Sequence, residues 1–141
     1  MSESQNIAVL GRFIEEVINQ GRLEVCDQIV EENFIELDPL PGQSQGRQGL
    51  KDVIAMMRAG FPDIHWVSDE VIASGDKVVT RFTWTGTHRG PFMGIPATNH
   101  GVTVKGVVID RLASGKMSDS RILMDSLGML QQLGVIPAPG Q

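Results

Sequence analysis

The spacing of the apolar residues changes once along this 141-residue chain, close to residue 64. Before that point, apolar side chains recur every three or four residues, as they do on one face of a helix. After it, they alternate with polar side chains over long stretches, as they do in a strand with one buried face. Helices in one half and strands in the other favour an α+β domain with an antiparallel sheet.

The first 60 residues predict three helices and one short strand. Helical stripes of apolar side chains span residues 7–20 and 23–30, and a third helix spans residues 46–60. Residues 33–40 alternate instead, which predicts a strand that is stopped by the prolines at its end.

The second half predicts four long strands and a final helix. Residues 64–72 and 77–86 form one hairpin, and residues 101–112 and 116–124 form another, each around a Gly-containing turn. Residues 125–133 form a short helix. A curved sheet wrapped around helices makes a cone, and its open end is the natural position for a pocket.

Composition limits the classes of function. The length predicts a single domain, residues 1–141, and the hydrophobic fraction of 41% is enough for one core. A net charge of −5 without a basic cluster argues against nucleic acid as a partner. No apolar run approaches the ~20 residues that span a bilayer, so no membrane partner is expected. One cysteine, Cys26, and an N-terminus without signal-peptide character favour a cytoplasmic location.

Three short motifs carry a family resemblance. They are GTHRG followed by FMGIPAT (residues 86–90 and 92–98), FPD at residues 61–63, and LGMLQQLG at residues 127–134. Together they resemble a loop, a strand start and the final helix of the SnoaL-like polyketide cyclases, within the nuclear transport factor 2-like superfamily. The resemblance covers roughly residues 7–137 and implies a cone-shaped fold with a deep apolar pocket.

The resemblance also implies a function class. It suggests cofactor-independent acid–base chemistry, such as ring closure or isomerisation, on a small apolar or polyketide-like molecule, in a homodimer packed through the sheet. No metal is expected, because the three histidines are scattered without ligand spacing. A non-catalytic small-ligand-binding protein and an epoxide hydrolase-like enzyme remain as alternatives.

The last strand departs from the family pattern. The aspartate that serves as acid and base in SnoaL-type cyclases aligns with Ile122, and the neighbouring histidine aligns with about Val108. Both positions are apolar here, so any catalysis has to come from other residues.

The short strand carries the first candidates for that role. Glu36 and Asp38 lie two residues apart, so they share one face with side chains separated by roughly 7 Å. Inside a pocket, burial and mutual repulsion would raise the pKa of one of them and create an acid–base pair. The alternative is that both carboxylates lie in water at the mouth, where Asp38 only caps a turn.

His88 and Asp125 are further catalytic candidates, because both match family positions. His88 lies in a Gly-rich loop that we expect at the pocket rim, and a histidine titrates near the pH at which proton transfer is needed. The alternative for His88 is a loop residue that hydrogen-bonds the backbone. Asp125 precedes the final helix, where a structural role as N-cap is favoured over catalysis.

Asp110 and Arg111 lie near a hairpin turn, where they either line the pocket edge or face solvent, with solvent favoured. Asp119 and Arg121 have the parity of a surface ion pair. The apolar wall of the pocket is expected to bind substrate through seven residues. These are Phe34, Trp66, Phe82, Trp84, Met93, Ile122 and Met124.

Overall fold

The computed structural model describes residues 2–140 and shows helices gathered on one face of a five-stranded sheet. The helical elements are α1 (Glu3–Arg12), a π-helical segment (Phe13–Asn19), a 3₁₀ turn (Leu23–Val25), α2 (Cys26–Ile29), α3 (Gly46–Gly60) and α4 (Ser126–Leu133). The strands are β1 (Val30–Glu36), β2 (His65–Ser74), β3 (Lys77–Thr87), β4 (Gly101–Ala113) and β5 (Lys116–Met124). Within the described residues, no helix has the length and apolar character that crossing a membrane requires.

The long strands and α3 confirm the sequence prediction, whereas the short strand is displaced. β1 begins at Val30 rather than Asn33 and ends at Glu36 rather than Leu40. Its start is fixed because Val30 is fully buried and pairs with Met117 on β5. Beyond Glu36 the chain leaves the sheet and runs towards α3.

The sheet has the strand order β1-β5-β4-β3-β2. The four long strands pair antiparallel, as the hairpin pattern predicted, but β1 pairs parallel to β5. Alternation along one strand cannot reveal this orientation, because a parallel pair joins segments that are distant in sequence. The parallel pairing carries the end of β1 to the middle of β5.

A cluster of aromatic rings fills the sheet side of the core. Trp66 stacks on Phe82 with ring centroids 4.2 Å apart, and Phe61 meets Trp84 edge-on at 5.0 Å. All four side chains are buried. Trp66 is the member of this cluster that reaches the cavity described below, and the other three rings pack behind it in the core.

Two polar side chains fasten the π-helical segment over this core. Arg58 on α3 donates from Nη1 to the carbonyl oxygens of Ile18 and Asn19, at 2.7 and 2.9 Å. The amide side chain of Asn19 in turn accepts from the backbone N–H of Trp66 at 2.7 Å and donates to its carbonyl oxygen at 3.1 Å. The carbonyl groups at the helix end are thereby satisfied, and the helix is held against β2.

Gly106 on β4 tests how closely the sheet packs. A Cβ at this position would overlap the ring of Phe82 and the carbonyl oxygen of Leu123. We expect Gly106→Ala to lower the free energy of unfolding by about 1–3 kcal/mol, as overpacking does. Gly11→Ala is the matched control, because a Cβ there meets nothing and alanine favours a helix by roughly 0.5–1 kcal/mol. Urea denaturation measures both variants, and equal effects would contradict the close packing at Gly106.

Candidate active site

A cavity of about 110 Å³ for water-sized molecules lies between the helices and the inner face of the sheet. Most of its wall is apolar. The polar groups in the wall are Glu36, Asp38, Gln43, Arg58, Asp110 and Ser120. Polar side chains are therefore few, and the chemistry of the cavity depends on them.

Three of these polar residues form one row across the sheet. Glu36 on β1 pairs with Ser120 on β5, and Ser120 pairs with Asp110 on β4. Directly paired residues point to the same face, so all three side chains enter the cavity. Because neighbouring strands lie about 5 Å apart, the Cα atoms of Glu36 and Asp110 are separated by roughly 10 Å.

Asp110 is the most deeply buried carboxyl group of the site, with 2% of its surface exposed. Burial raises its pKa to about 7, and the charge of Asp119 adds to this effect. A hydrogen bond with the Ser120 side chain acts in the opposite direction but does not cancel the effect of burial. Near neutral pH, a substantial fraction of Asp110 is therefore protonated and can donate its proton.

Glu36 has a similarly shifted pKa, raised to about 7. Burial is the main cause, and the charges of Asp110 and Asp38 raise it further against the backbone hydrogen bonds of Asp38 and Leu37. Its Oε2 atom is buried and has no hydrogen-bond partner. Glu36 therefore presents an oxygen to the cavity that is free to accept a proton.

Asp38 lies at the border between the cavity and the outside. Its Oδ1 atom is 3.6 Å from Nη1 of Arg121, which projects from the outer face of β5. Its Oδ2 atom is buried and without a partner, and the residue lines the cavity. Neither Glu36 nor Asp38 is therefore a carboxylate that points only to bulk water.

The two apolar positions of the family site occupy the next row of the sheet. Val108 and Ile122 are paired with each other, and both line the cavity. Asp110 and Ser120 form the neighbouring pair on the same face, two residues along each strand, and Asp110 supplies the carboxyl group there. The expectation that Asp110 is solvated is wrong, because it shares the inward parity of Val104 and Val108. The alternation along β4 already indicates in the sequence that Asp110 faces inward, whereas its closeness to a turn suggests exposure to solvent.

His88 does not lie at the cavity, contrary to expectation. It is fully buried, at the end of β3, ten residues beyond the Val78 that pairs with Asp110. Ten residues correspond to about 33 Å of extended strand. Its Nδ1 accepts from the backbone N–H of Thr98 at 3.2 Å, and its ring stacks on Phe61. These contacts fix the loop, so the geometry gives His88 a structural position.

The other candidates divide between the cavity wall and structural positions. Asp125 accepts from the backbone N–H of Gly128 at 2.8 Å and caps α4, as favoured from the sequence. Phe82 and Trp84 lie in the core outside the cavity wall, and Met93 is 47% exposed on its loop. The expected wall residues that do line the cavity are Phe34, Trp66, Ile122 and Met124.

The expected surface pair of Asp119 and Arg121 is also not formed. Asp119 instead accepts from Arg111 Nε at 3.1 Å, and Arg121 turns to Asp38. Over residues 2–140, no three His, Cys, Asp or Glu side chains are grouped in a way that would hold a metal ion.

Comparisons with known proteins assign the chain to a family. The family profile described as SnoaL-like polyketide cyclase matches residues 8–133. The chain belongs to the SnoaL-like polyketide cyclase family. A search of curated protein sequences gave no match.

Solved structures share the fold of this SnoaL-like protein. A protein from Jannaschia described as a SnoaL-like polyketide cyclase has 26% identity and a TM-score of 0.86, over 96% of this chain and 95% of that chain. A Bacillus cereus protein described as a polyketide cyclase has 29% identity and a TM-score of 0.83, over 96% and 87%. TsrD from Streptomyces laurentii has 24% identity and a TM-score of 0.88, over 96% and 99%. The cone of this SnoaL-like protein is thus that of the nuclear transport factor 2-like fold.

The raised pKa of Asp110 makes the stability depend on pH. The folded protein holds this proton up to about pH 7, whereas the unfolded chain loses it near 3.8. The free energy of unfolding therefore falls as the pH rises through this window. We expect Asp110→Asn to reduce the fall between pH 5 and pH 8 by on the order of 2 kcal/mol.

Urea denaturation at the two pH values measures this effect. Asp69→Asn is the control, because Asp69 is exposed on β2, at the far edge of the sheet from β1. It should retain the pH dependence of the unmodified protein. An Asp110→Asn variant with that same dependence would show that Asp110 does not hold its proton through burial.

Proposed function

We propose that this SnoaL-like protein is a cofactor-independent enzyme that moves a proton next to a carbonyl group of a small apolar or polyketide-like molecule, as a cyclase or an isomerase does. The observation that carries the proposal is the row of Glu36, Ser120 and Asp110 across a largely apolar cavity. Family membership supports the class of substrate. The reaction uses a carboxylate as base and a carboxylic acid as proton donor.

Glu36 is the base in this proposal. Its unpartnered Oε2 takes a proton from the carbon beside the carbonyl, and the C–H electron pair forms the C=C bond of an enol. A group with a pKa of about 7 is well suited to this step at neutral pH, because it is substantially ionised yet still basic.

Asp110 is the acid. Its proton goes to the carbonyl oxygen as negative charge develops there, and the Ser120 hydrogen bond fixes the orientation of the carboxyl group. In an isomerisation, Glu36 returns its proton to a different carbon, and the enol oxygen returns its proton to Asp110 as the C=O bond re-forms. In a ring closure, the enol carbon forms a bond to a second carbonyl carbon, whose oxygen takes up the proton held by Glu36, while the enol oxygen gives its proton back to Asp110 and becomes a carbonyl again. Apolar walls strengthen both interactions by excluding water.

A non-catalytic carrier of the same class of ligand is the second candidate. It is favoured by Val108 and Ile122, which make the usual family position apolar. An epoxide hydrolase-like activity is the weaker alternative, because Ile122 leaves β5 without a carboxylate in the cavity wall.

Exchange of a carbonyl-adjacent proton for deuterium tests the catalytic proposal before the substrate is identified. We expect the protein to accelerate exchange in small cyclic ketones, followed by NMR in D₂O, with a rate maximum near pH 7. The rate rises as Glu36 loses its proton and falls as Asp110 loses its own. Glu36→Gln and Asp110→Asn should each lose about 10²-fold, whereas Asp69→Asn should not change the rate. Full activity in Glu36→Gln would exclude this mechanism, and a retained ligand without exchange would favour the carrier.

We also propose that the protein forms a homodimer through the outer face of the sheet. Val107 and Leu123 are paired on that face, and 71% of Leu123 is exposed. Ile109 lies two residues from Val107 on β4, and Ile72 lies in the same row as Ile109, across Val79 of β3; both are exposed. A contiguous exposed apolar area of this kind is typical of an interaction surface, and a second copy of the chain offers the same apolar surface.

Val107→Glu tests the dimer surface. A charge at the centre of the buried face should shift the molecular mass in solution to that of the monomer, measured by light scattering after size exclusion. Leu127→Glu is the control, because it adds the same charge to an exposed apolar position on α4. Dissociation by the control but not by Val107→Glu would assign the interface to another surface.

A further inference from the structure

Two acceptor atoms in the cavity have no donor. Oδ2 of Asp38 and Oε2 of Glu36 are both buried without a hydrogen-bond partner, and both residues line the cavity. The two carboxyl groups are close enough for the charge of Asp38 to raise the pKa of Glu36. Buried carboxylate oxygens are costly when they are left unpaired, so such a pair in an apolar cavity indicates that a bound molecule supplies the donors.

Positive groups of the protein do not satisfy these two oxygens. Arg58 lines the cavity, but its Nη1 donates to the carbonyl oxygens of Ile18 and Asn19. Arg121 meets only the other oxygen of Asp38, from the outer face, at 3.6 Å. An exposed pair at that distance keeps Asp38 accessible to a competing cation, because its net stabilisation is small.

We infer that the cavity binds a small apolar molecule through a hydrogen-bond-donating head group at Asp38, with a protonated amine preferred over a hydroxyl group and a carboxylate disfavoured. The head group lies at the mouth, and the apolar body extends along Phe34, Ile122 and Met124. This inference names the substrate class of the proposed function and rests on it for the location of the site. Binding itself requires no proton transfer.

The charge of the cavity explains the order of preference. Asp38, Glu36 and Asp110 all contribute acidic groups to the wall. An ammonium group supplies donors and opposes their charge at once, whereas a hydroxyl group supplies a donor without charge. A carboxylate would add a further negative charge to a poorly solvated site, which is unfavourable.

Three probes of matched shape separate these head groups. Cyclohexylmethylamine, cyclohexylmethanol and cyclohexanecarboxylate are titrated into the protein at neutral pH. Binding is followed by calorimetry and through the tryptophan fluorescence, to which Trp66 in the cavity wall contributes together with Trp84. We expect the amine to bind about tenfold more tightly than the alcohol, with the carboxylate weakest. Equal binding of the amine and the carboxylate, or tighter binding of the alcohol than of the amine, would overturn the inference.

Substitution of Asp38 and substitution of its ion-pair partner Arg121 should change the preference for the amine in opposite directions. Asp38→Asn should remove the preference for the amine over the alcohol, whereas Arg121→Gln should increase it by leaving Asp38 uncompensated. Asp69→Asn removes the same net charge at the far edge of the sheet and should leave the preference unchanged. A loss of folding lowers binding of all three probes together, so a change in their ratio reports the head-group contact alone. If Asp38→Asn retains the ratio, Asp38 is not the anchor.

Separate measurements test the proposed reaction and the proposed ligand class. Glu36→Gln should abolish deuterium exchange while most of the amine preference remains, because Asp38 still holds the head group. An active enzyme with no preference for the amine would refute the ligand class and leave the acid–base proposal intact. A clear amine preference without any exchange would refute the acid–base proposal and support the ligand class.

Discussion

The parallel pairing of β1 with β5 is the constraint on which the rest of the site depends. The backbone N–H of Leu37 donates to the carbonyl oxygen of Ser120 at 2.8 Å, which extends the ladder just beyond the end of β1. This contact places Glu36, from the helical half of the sequence, beside Ser120 on β5. Asp110 lies one strand further on, on β4. Without this contact, Glu36 would be an ordinary carboxylate on a loop, and Asp110 would have no second acidic group across the cavity.

The sequence predicted the architecture well because periodicity reports directly on burial. The limits of α3 and of the long strands follow from residues such as Gly60 and the Gly75 and Gly115 turns. Glu36 and Asp38 could be identified as cavity candidates because their alternation was intact. The register between strands could not be read, because it depends on contacts between distant segments. For Asp110 the nearby hairpin turn favoured a solvated position, although its parity along β4 indicates the inner face.

His88 illustrates the opposite error. A histidine in a glycine-rich loop, at a family position, suggested chemistry, but the loop lies at the wrong end of β3. Its hydrogen bond with the backbone N–H of Thr98 and its stacking on Phe61 place it in the support of this loop, outside the cavity wall. The buried carboxyl groups of Glu36 and Asp110 affect the stability of the fold. Because their pKa values are raised, the free energy of unfolding is lower at a pH at which they are ionised. Such a cost is expected at functional sites and is balanced by the aromatic core around Trp66.

The ion pair of Arg121 and Asp38 joins the two surfaces of the sheet. Arg121 is wetted by bulk solvent, while the second oxygen of Asp38 is sealed inside the cone. Dissolved ions screen exposed charges within about 10 Å at 0.1 M salt, so they weaken the outer half of this pair. The ionic strength of the surroundings therefore changes how strongly Arg121 offsets the charge of Asp38. Because Asp38 also lines the cavity, this exposed arginine couples the electrostatics of the cavity to the salt concentration outside.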